Sequence, residues 1–494
     1  MQETEPLRFS RRRADVTARR TDVQYRRFGV VALLVGALIS THFFTAPSAR
    51  AATSDAGIVV VGGPAVIPDD LENHLASCSP AGATRVAGAD RYATAAAIAE
   101  EWTNADTVFL ATGLNYPDAL GAGPVAALNG APILLTQRDV LPPATNAALT
   151  RLAPNRIVLL GGSAVISAAL EDGLRSRFAE VIRLAGSDRY ATAAAISRWH
   201  FAGGASIVFV ATGEKYLDAL VAGPRAAAEG APLLLVEAGS VPQATKEELR
   251  RLAPDHIIVV GSSAVVGDAV ADQLAQYAAE GVTRIAGASR YSTAAALAAR
   301  ATGERVFIVT ANDFPDGLAA TPATRGAPIL FATKAEMNGT TAAAIGGRTG
   351  VSCDPWVPPY PNVGEGKRII YSNSAQRVWL IDESEALVDT YLVSGRVGIP
   401  HYDTYEVYSK SVNAWAPYGG ITMKWMVRFV RPGTWGNQWA YGFHAIPRYS
   451  NGQPLQSEAE LGFHRSGGCV RQADVKAYAL YQWADIGTTV HAIP

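Results

Sequence analysis

A stretch of about 100 residues occurs three times in succession between residues 57 and 350. The segment "RVAGADRYATAAAIA" at residue 85 returns as "RLAGSDRYATAAAIS" at 183 and as "RIAGASRYSTAAALA" at 284. Further markers keep the same spacing, such as "GAPILL", "GAPLLL" and "GAPILF". Repeats of this kind fold as equivalent units that pack against their neighbours. The chain up to residue 350 must therefore contain three copies of one structural unit.

Each copy alternates short apolar runs with alanine-rich stretches. The run Ile157–Leu160 is bounded by glycine, as is typical of a buried parallel strand, and Tyr190–Trp199 has the length of a crossover helix. Glycines after the strands, such as Gly161 and Gly162, fit tight strand-to-helix turns. The units lack the G-x-G-x-x-G and G-K-[ST] spacings of nucleotide sites. We predict three α/β repeats, over 57–155, 156–255 and 256–350.

The starting point of the repeat is ambiguous. The segment "GIVVVGG" at residue 57 could open the first repeat, or it could supply the last strand of the third and so close a ring. In the second arrangement Cys78 and Cys353 could form a disulfide, which an exported chain permits. The alternative is two unpaired, buried thiols.

The N-terminal segment 1–51 has the pattern of an export signal. Eight arginines lie in the first 27 residues, and the uncharged "FGVVALLVGALIS" follows. Small residues at Ala49 and Ala51 predict cleavage after Ala51, although an uncleaved membrane anchor is the alternative. This pattern predicts transient membrane passage and a chain that is secreted or exposed at the cell surface. The net charge of −1 and the lack of a basic patch argue against nucleic acid as a partner.

The AG-x-DRY-x-TA, PDAL and GAP-[IL]-LL segments resemble those of cell-wall-binding repeat type 2 modules from Gram-positive surface proteins. The resemblance implies a pseudo-threefold arrangement of the three repeats and non-covalent attachment to an anionic cell-wall polymer. Arg91, Arg189 and Arg290 are candidate polymer-binding residues. The Asp-Arg-Tyr segment could instead be a local ion pair beside a packing ring, and Ser289 replaces the aspartate in the third copy.

The composition changes after residue 350. Residues 351–366 contain four prolines in "CDPWVPPYPNVGEGK" and form a predicted linker. Over 367–494 the chain has alternating runs rich in aromatic and β-branched residues, separated by turn residues. This pattern predicts a mainly antiparallel β domain with one helix near Asp474–Ala484.

One of the three cysteines must stay unpaired within the chain, and Cys469 in "SGGCVRQ" is the best candidate. Gly467 and Gly468 leave backbone N–H groups that, with that of Cys469, could bind an oxyanion. An upstream histidine could take the thiol proton and, once charged, hold the thiolate with a pKa below its usual value of about 8.5. Arg471 could bind a substrate carboxylate. A purely structural cysteine is the alternative.

The segments "YGFHAIP" and "SGGCVRQ" resemble the signature of L,D-transpeptidases, also called YkuD domains, in which a histidine precedes S-H-G-C-x-R. The resemblance implies that Cys469 is the nucleophile and that His444 is the base, oriented by the carbonyl of Ala445. It also assigns four residues to the rest of the pocket, namely Ser466, Gly467, Gly468 and Arg471.

Two features depart from that signature. Gly467 stands where the second histidine belongs, and the polar insert "RYSNGQPLQSEAE" lengthens the interval between His444 and Cys469. The insert could be a lid or a substrate-selecting loop. His464, five residues before the cysteine, is the alternative base.

The resemblances together imply a wall-anchored enzyme that forms 3→3 cross-links between peptidoglycan stem peptides through a cysteine thioester. With water as the acceptor, the same site would be an L,D-carboxypeptidase. No cofactor and no metal ion are expected, because the energy of the cleaved peptide bond is carried in the thioester. A non-catalytic wall-binding protein is the alternative of a different class.

Overall fold

The buried apolar runs of the repeats form parallel strands, as the sequence predicts. The computed structural model describes residues 57–416 and 420–494, so the predicted export signal lies outside the described residues. The strands of the repeat region are β1 (Ile58–Val61), β2 (Ala83–Val86), β3 (Thr107–Thr112), β4 (Ile133–Thr136), β5 (Arg156–Leu160), β6 (Glu180–Leu184), β7 (Ile207–Thr212), β8 (Leu233–Val236), β9 (His256–Val260), β10 (Gly281–Ile285), β11 (Val306–Thr310) and β12 (Ile329–Ala332).

Helices follow most of these strands and cover the sheets. They are α1 (Asp69–Ser77), α2 (Arg91–Ile98), α3 (Ala122–Leu128), α4 (Pro143–Leu152), α5 (Ala168–Arg175), α6 (Arg189–His200), α7 (Leu217–Ala228), α8 (Gln243–Leu252), α9 (Asp268–Leu274), α10 (Arg290–Ala298), α11 (Pro315–Ala320) and α12 (Gly339–Thr349). Within the described residues, no helix combines the length and the apolar character needed to cross a membrane.

Three four-stranded parallel sheets share one strand order, β4-β3-β5-β6, β8-β7-β9-β10 and β12-β11-β1-β2. The third sheet takes its last two strands from the start of the described chain, with Ile58 paired to Val306 on one side and to Ala83 on the other. The segment at residue 57 therefore completes the third unit, and the ring closes. The repeat boundaries predicted after residues 155 and 255 differ from the structural units. Each boundary separates strands of one sheet, β4 from β5 in the first case and β8 from β9 in the second.

A disulfide joins the two ends of this third unit. Cys78, at the end of α1, is bonded to Cys353, which lies 275 residues further along the chain. His74 lies beside the bond, with Nε2 at 2.8 Å from the carbonyl oxygen of Asp354. Of the two arrangements considered for these cysteines, the structure contains the disulfide.

Equivalent residues of the three copies meet at the centre of the ring. The rings of Tyr116, Tyr216 and Phe314 pack in a triangle with centroid separations of 5.3, 5.7 and 6.3 Å. Gly123 and Gly223 both pack against Thr321, and a Cβ atom on either glycine would lie 2.7 Å from Thr321 Cγ2. The pseudo-threefold arrangement thus depends on glycine at these two positions.

The Asp-Arg-Tyr segments begin a helix in each unit. The Asp90 carboxylate accepts a hydrogen bond from the Ala93 N–H at 2.8 Å, and Asp188 and Ser289 accept the equivalent bonds in the other two copies. These residues are helix N-caps and do not form the local ion pair considered from the sequence. Serine is also a good N-cap, which explains why the third copy tolerates it.

The C-terminal domain is built from two sheets around one core. Its elements are β13 (Arg368–Ser372), β14 (Arg377–Ile381), β15 (Leu387–Leu392), β16 (Asp403–Glu406), β17 (Ser409–Trp415), β18 (Thr422–Val430), β19 (Tyr441–Ala445), β20 (Val470–Gln472), helix α13 (Asp474–Trp483) and β21 (Thr489–Ile493). The sheet orders are β15-β14-β13-β21-β16 and β17-β18-β19-β20. Most strand pairs are antiparallel, and β13–β21 and β19–β20 are parallel. His444 lies on β19, and Cys469 immediately precedes β20.

Candidate active site

His444, on β19, and Cys469, immediately before β20, line one cavity of about 300 Å³. Strand β19 pairs with β20 in parallel, with Phe443 opposite Val470 and His444 opposite Arg471. Cys469 immediately precedes β20, so it lies beside Gly442. The structure thus places Cys469 and His444, the candidate nucleophile and the candidate base, in the wall of the same cavity.

His444 is almost fully buried, with 2% of its surface exposed. Its Nδ1 lies 2.7 Å from the carbonyl oxygen of Ala445. Because a carbonyl only accepts hydrogen bonds, Nδ1 carries the proton and Nε2 presents a lone pair. Burial, opposed by the Ala445 bond and reinforced by the charges of Arg471 and Arg428, lowers the pKa of His444 to about 4. The imidazole is therefore a neutral proton acceptor at neutral pH.

Cys469 is the free cysteine of the described chain and is half-buried. Burial raises the pKa of the Cys469 thiol, although the Gly442 N–H and the charges of Arg428 and Arg471 act in the opposite direction. The sequence led us to expect a lowered pKa beside a charged imidazole. That expectation is wrong for this arrangement, because the buried imidazole is neutral and desolvation outweighs the two arginines.

The glycine loop before the cysteine is tightly packed. A Cβ atom on Gly468 would collide with the ring of Tyr441, so only glycine fits there. The Gly468 N–H donates to Ser466 Oγ at 3.1 Å, and the Gly467 carbonyl accepts a bond from Arg396 Nη1 at 3.3 Å. Because Ser466 already accepts the Gly468 N–H, the N–H groups of Gly467 and Cys469 are the better candidates for binding an oxyanion.

Arg471 is held by the polar insert, a contact that the sequence did not predict. Its Nη1 donates to Gln456 Oε1 at 2.8 Å, and Gln456 Nε2 donates to Ser394 Oγ at 3.0 Å. Ser394 also exchanges two backbone hydrogen bonds of 2.9 Å with Arg471. The unusual length of the interval between His444 and Cys469 was the available signal, but it did not single out Gln456.

His464 lies elsewhere. It is exposed, its Nε2 is 2.9 Å from the carbonyl oxygen of Asn373, and it is not among the residues that line the cavity. The geometry therefore favours His444 over His464 as the candidate base.

Arg428, Trp415 and Trp439 are among the residues of the cavity wall that the sequence analysis did not identify. Arg428 on β18 is paired with Gly442, and Trp415 and Trp439 line the cavity with 70% and 49% of their surfaces exposed. The alternation of polar and apolar residues along β18 predicts which side chains share a face of the strand, but it does not predict that one face lines this cavity.

The three arginines proposed to contact the wall polymer are not near this cavity. Arg91 and Arg189 donate through Nη1 to the carbonyls of Gly113 and Gly213 at 2.6 and 2.5 Å, and Arg290 makes the weaker equivalent bond at 3.4 Å. Each of the three therefore ties the start of a helix to the end of a strand within the repeats.

Sequence models of two families match the chain. One, described as "Cell wall binding domain 2 (CWB2)", matches residues 85–171, 183–271 and 284–354, which amount to half of the chain. The other, described as "L,D-transpeptidase catalytic domain", matches residues 366–491. Fold and site thus define a multidomain protein with wall-binding repeats and a cysteine-centred C-terminal domain. The chain belongs to the cell wall binding domain 2 family and carries an L,D-transpeptidase catalytic domain.

Similarity to individual proteins covers part of the chain. The N-acetylmuramoyl-L-alanine amidase LytC of Bacillus subtilis (strain 168) is 30% identical over 272 residues, which are 54% of this chain and 53% of LytC. The amidase enhancer of the same strain is 35% identical over 212 residues, which are 43% of this chain and 28% of that protein. The chain thus spans about half and about a quarter of the lengths of these relatives.

Among solved structures, Cwp6 from Clostridium difficile has the repeat fold. It superposes with a TM-score of 0.51 at 23% identity, covering 58% of this chain and 51% of that chain.

Proposed function

We propose that the protein is a cell-wall-bound L,D-transpeptidase that forms 3→3 cross-links between peptidoglycan stem peptides. The observation that carries the proposal is the cavity shared by Cys469 and His444, in which the Nδ1 bond to Ala445 leaves Nε2 as the proton acceptor. The match of residues 366–491 to the L,D-transpeptidase catalytic domain supports the same reaction class.

In the first half-reaction, Cys469 Sγ attacks the carbonyl carbon of the third residue in a donor tetrapeptide. His444 Nε2 takes the thiol proton, and the N–H groups of Gly467 and Cys469 stabilise the oxyanion. The bond to the terminal D-alanine then breaks, and the imidazolium returns its proton to the leaving amine. The products are free D-alanine and a thioester on Cys469.

In the second half-reaction, the side-chain amine of a second stem attacks the thioester carbonyl. His444 takes a proton from this amine, a new amide bond forms between the two third residues, and the thiol is restored. One peptide bond is exchanged for another, so no external energy source is needed. With water in place of the amine, the same steps give L,D-carboxypeptidase activity.

The remainder of the chain would deliver the catalytic domain to its substrate. The proposal includes export directed by residues 1–51, wall attachment through three repeats, a linker at 351–366 and a catalytic domain at 367–494. The match of half of the chain to the cell wall binding domain 2 supports attachment to an anionic wall polymer, with Arg91, Arg189 and Arg290 as the candidate contacts. Attachment raises the effective concentration of the enzyme at an insoluble substrate.

Mass spectrometry of products from disaccharide-tetrapeptide tests the proposal. Loss of D-alanine with a dimer indicates transpeptidation, and loss without a dimer indicates hydrolysis. Absence of D-alanine release with retained binding would show a recognition module and would refute the enzyme. We expect Cys469→Ala to abolish turnover and to leave wall retention intact.

A matched pair of histidine variants tests the base. His444→Gln should lose turnover, whereas His464→Gln should keep it, because His464 contacts Asn373 outside the cavity. Turnover that is retained in His444→Gln and lost in His464→Gln would identify His464 as the base.

A further inference from the structure

The cavity around Cys469 is positively charged. Two arginines, Arg428 and Arg471, are among its lining residues, and no aspartate or glutamate of the described chain lines it. Burial raises the pKa of the Cys469 thiol, and both arginine charges act on that thiol in the opposite direction. A cavity with two cations and no acid favours a ligand that brings negative charge.

The strand register places Arg428 on the same face of the sheet as the Cys469 thiol. Arg428 is paired with Gly442 in the antiparallel β18–β19 ladder. The parallel β19–β20 ladder begins with Phe443 opposite Val470, so Gly442 lies beside Cys469, the residue that precedes β20. The three residues therefore form one row across neighbouring strands, which are about 4.8 Å apart, with their side chains on the same face. Gly442 has no side chain to fill the space between the other two, and a Cβ atom there would collide with the backbone of Val427.

The charge of Arg428 has little compensation from the protein. Its guanidinium is half-buried and donates from Nη1 to Ser409 Oγ at 3.2 Å, and it forms no ion pair within the described residues. Arg471, in contrast, is oriented by Gln456 from the polar insert. The two arginines thus reach the cavity from opposite edges of β19, and a carboxylate bound by Arg471 leaves the charge of Arg428 uncompensated.

We propose that Arg428 is a specificity-determining residue that binds a second carboxylate of the donor stem, separate from the carboxylate bound by Arg471. The enzyme would therefore prefer stems whose α-carboxylate on the second residue and side-chain carboxylate on the third residue are both free, and would discriminate against amidated stems. This inference rests on the proposed function and names the donor class within it.

The test combines enzyme variants with donor variants. Three disaccharide-tetrapeptides are compared, one with both carboxylates free and two that are each amidated at one of them. D-alanine release gives kcat/KM for the full chain, Arg428→Met, Arg428→Lys and Lys424→Met. Lys424 is an exposed cation on the same strand and does not line the cavity, so it controls for loss of charge. Thermal melting confirms that each variant is folded.

For the unaltered enzyme, we expect each amidated donor to react about 10- to 100-fold more slowly than the free donor, as for the loss of a charged hydrogen bond. Arg428→Met should slow the free donor by a similar factor, chiefly through KM, and should cause little further loss with one of the two amidated donors, the one that lacks the carboxylate bound by Arg428. Arg428→Lys should keep part of the preference, and Lys424→Met should keep all of it.

Two results would overturn the inference while leaving the proposed function in place. One is equal turnover of all three donors by the unaltered enzyme. The other is a loss in Arg428→Met that is equally large for every donor, since Arg428 would then act on the Cys469–His444 pair alone. Absence of D-alanine release from every donor would instead refute the proposed function, and this inference with it.

Discussion

Removal of the Cys78–Cys353 disulfide should destabilise the repeats strongly and leave the catalytic pocket unchanged. The bond links positions 275 residues apart and joins α1 to the chain that follows the third unit. In the chain-entropy description, a closed loop of that length lowers the entropy of the unfolded chain enough to contribute about 5 to 6 kcal/mol at 25 °C. We therefore expect the double variant Cys78→Ala/Cys353→Ala to lose about 5 kcal/mol of unfolding free energy.

Urea unfolding followed by far-UV circular dichroism measures this loss, since twelve of the thirteen α-helices of the described chain lie in the repeats. Reductant should weaken the unaltered protein by a similar amount and should not affect the double variant. Cys469→Ala is the matched control, because it removes the third cysteine and keeps the bond. A difference below about 1 kcal/mol between the double variant and the unaltered protein, or three free thiols in unfolded, non-reduced protein, would refute the reasoning.

Three further predictions concern the pocket. Gln456→Ala should raise KM for a stem donor about tenfold with a smaller change in kcat, because Arg471 loses the acceptor that orients it; an unchanged KM in steady-state assays would contradict this. The acid limb of kcat/KM should lie near pH 4, because the pKa of His444 is lowered to about 4 and the neutral base persists down to that pH; a limb near pH 6.5 would show a solvated base. Alkylation of Cys469 by iodoacetamide should rise at a higher pH than that of a free cysteine peptide, because burial raises the thiol pKa; mass spectrometry of the modified protein measures the profile, and an equal or lower midpoint would refute it.

The fold of the repeats could be predicted from the sequence, but the residue at which each structural unit begins could not. Apolar runs such as Ile157–Leu160 are buried on both faces, and the glycines after them allow the turns, so strand and turn were both predictable from local residues. The unit boundaries were not predictable, because a closed ring of repeats shows the same local sequence pattern whichever residue is taken as the start of a unit. Only the long-range pairing of Ile58 with Val306 shows that the first strand completes the third sheet.

The candidate nucleophile and the candidate base could be proposed from the sequence because they lie in short motifs, whereas the residues around them could not. Arg428 reaches the cavity through the register of β18 with β19, and Gln456 contacts Arg471 through the path of the polar insert. Neither is encoded in the spacing of nearby residues. The direction of the Cys469 pKa was missed for a related reason, since it depends on how deeply the folded chain buries the sulfur.

The protonation states of the pair have a consequence for the proposed reaction. With the pKa of Cys469 raised and that of His444 lowered, the resting pair is a neutral thiol beside a neutral imidazole. Thiols are oxidised as thiolates, so a neutral Cys469 would be protected in the oxidising compartment to which the proposed export leads. Donor carboxylates that bind Arg428 and Arg471 would reduce the positive charge acting on the sulfur and would not favour the thiolate. In the proposed reaction, transfer of the thiol proton to His444 would therefore accompany attack on the carbonyl, when the backbone N–H groups stabilise the developing oxyanion.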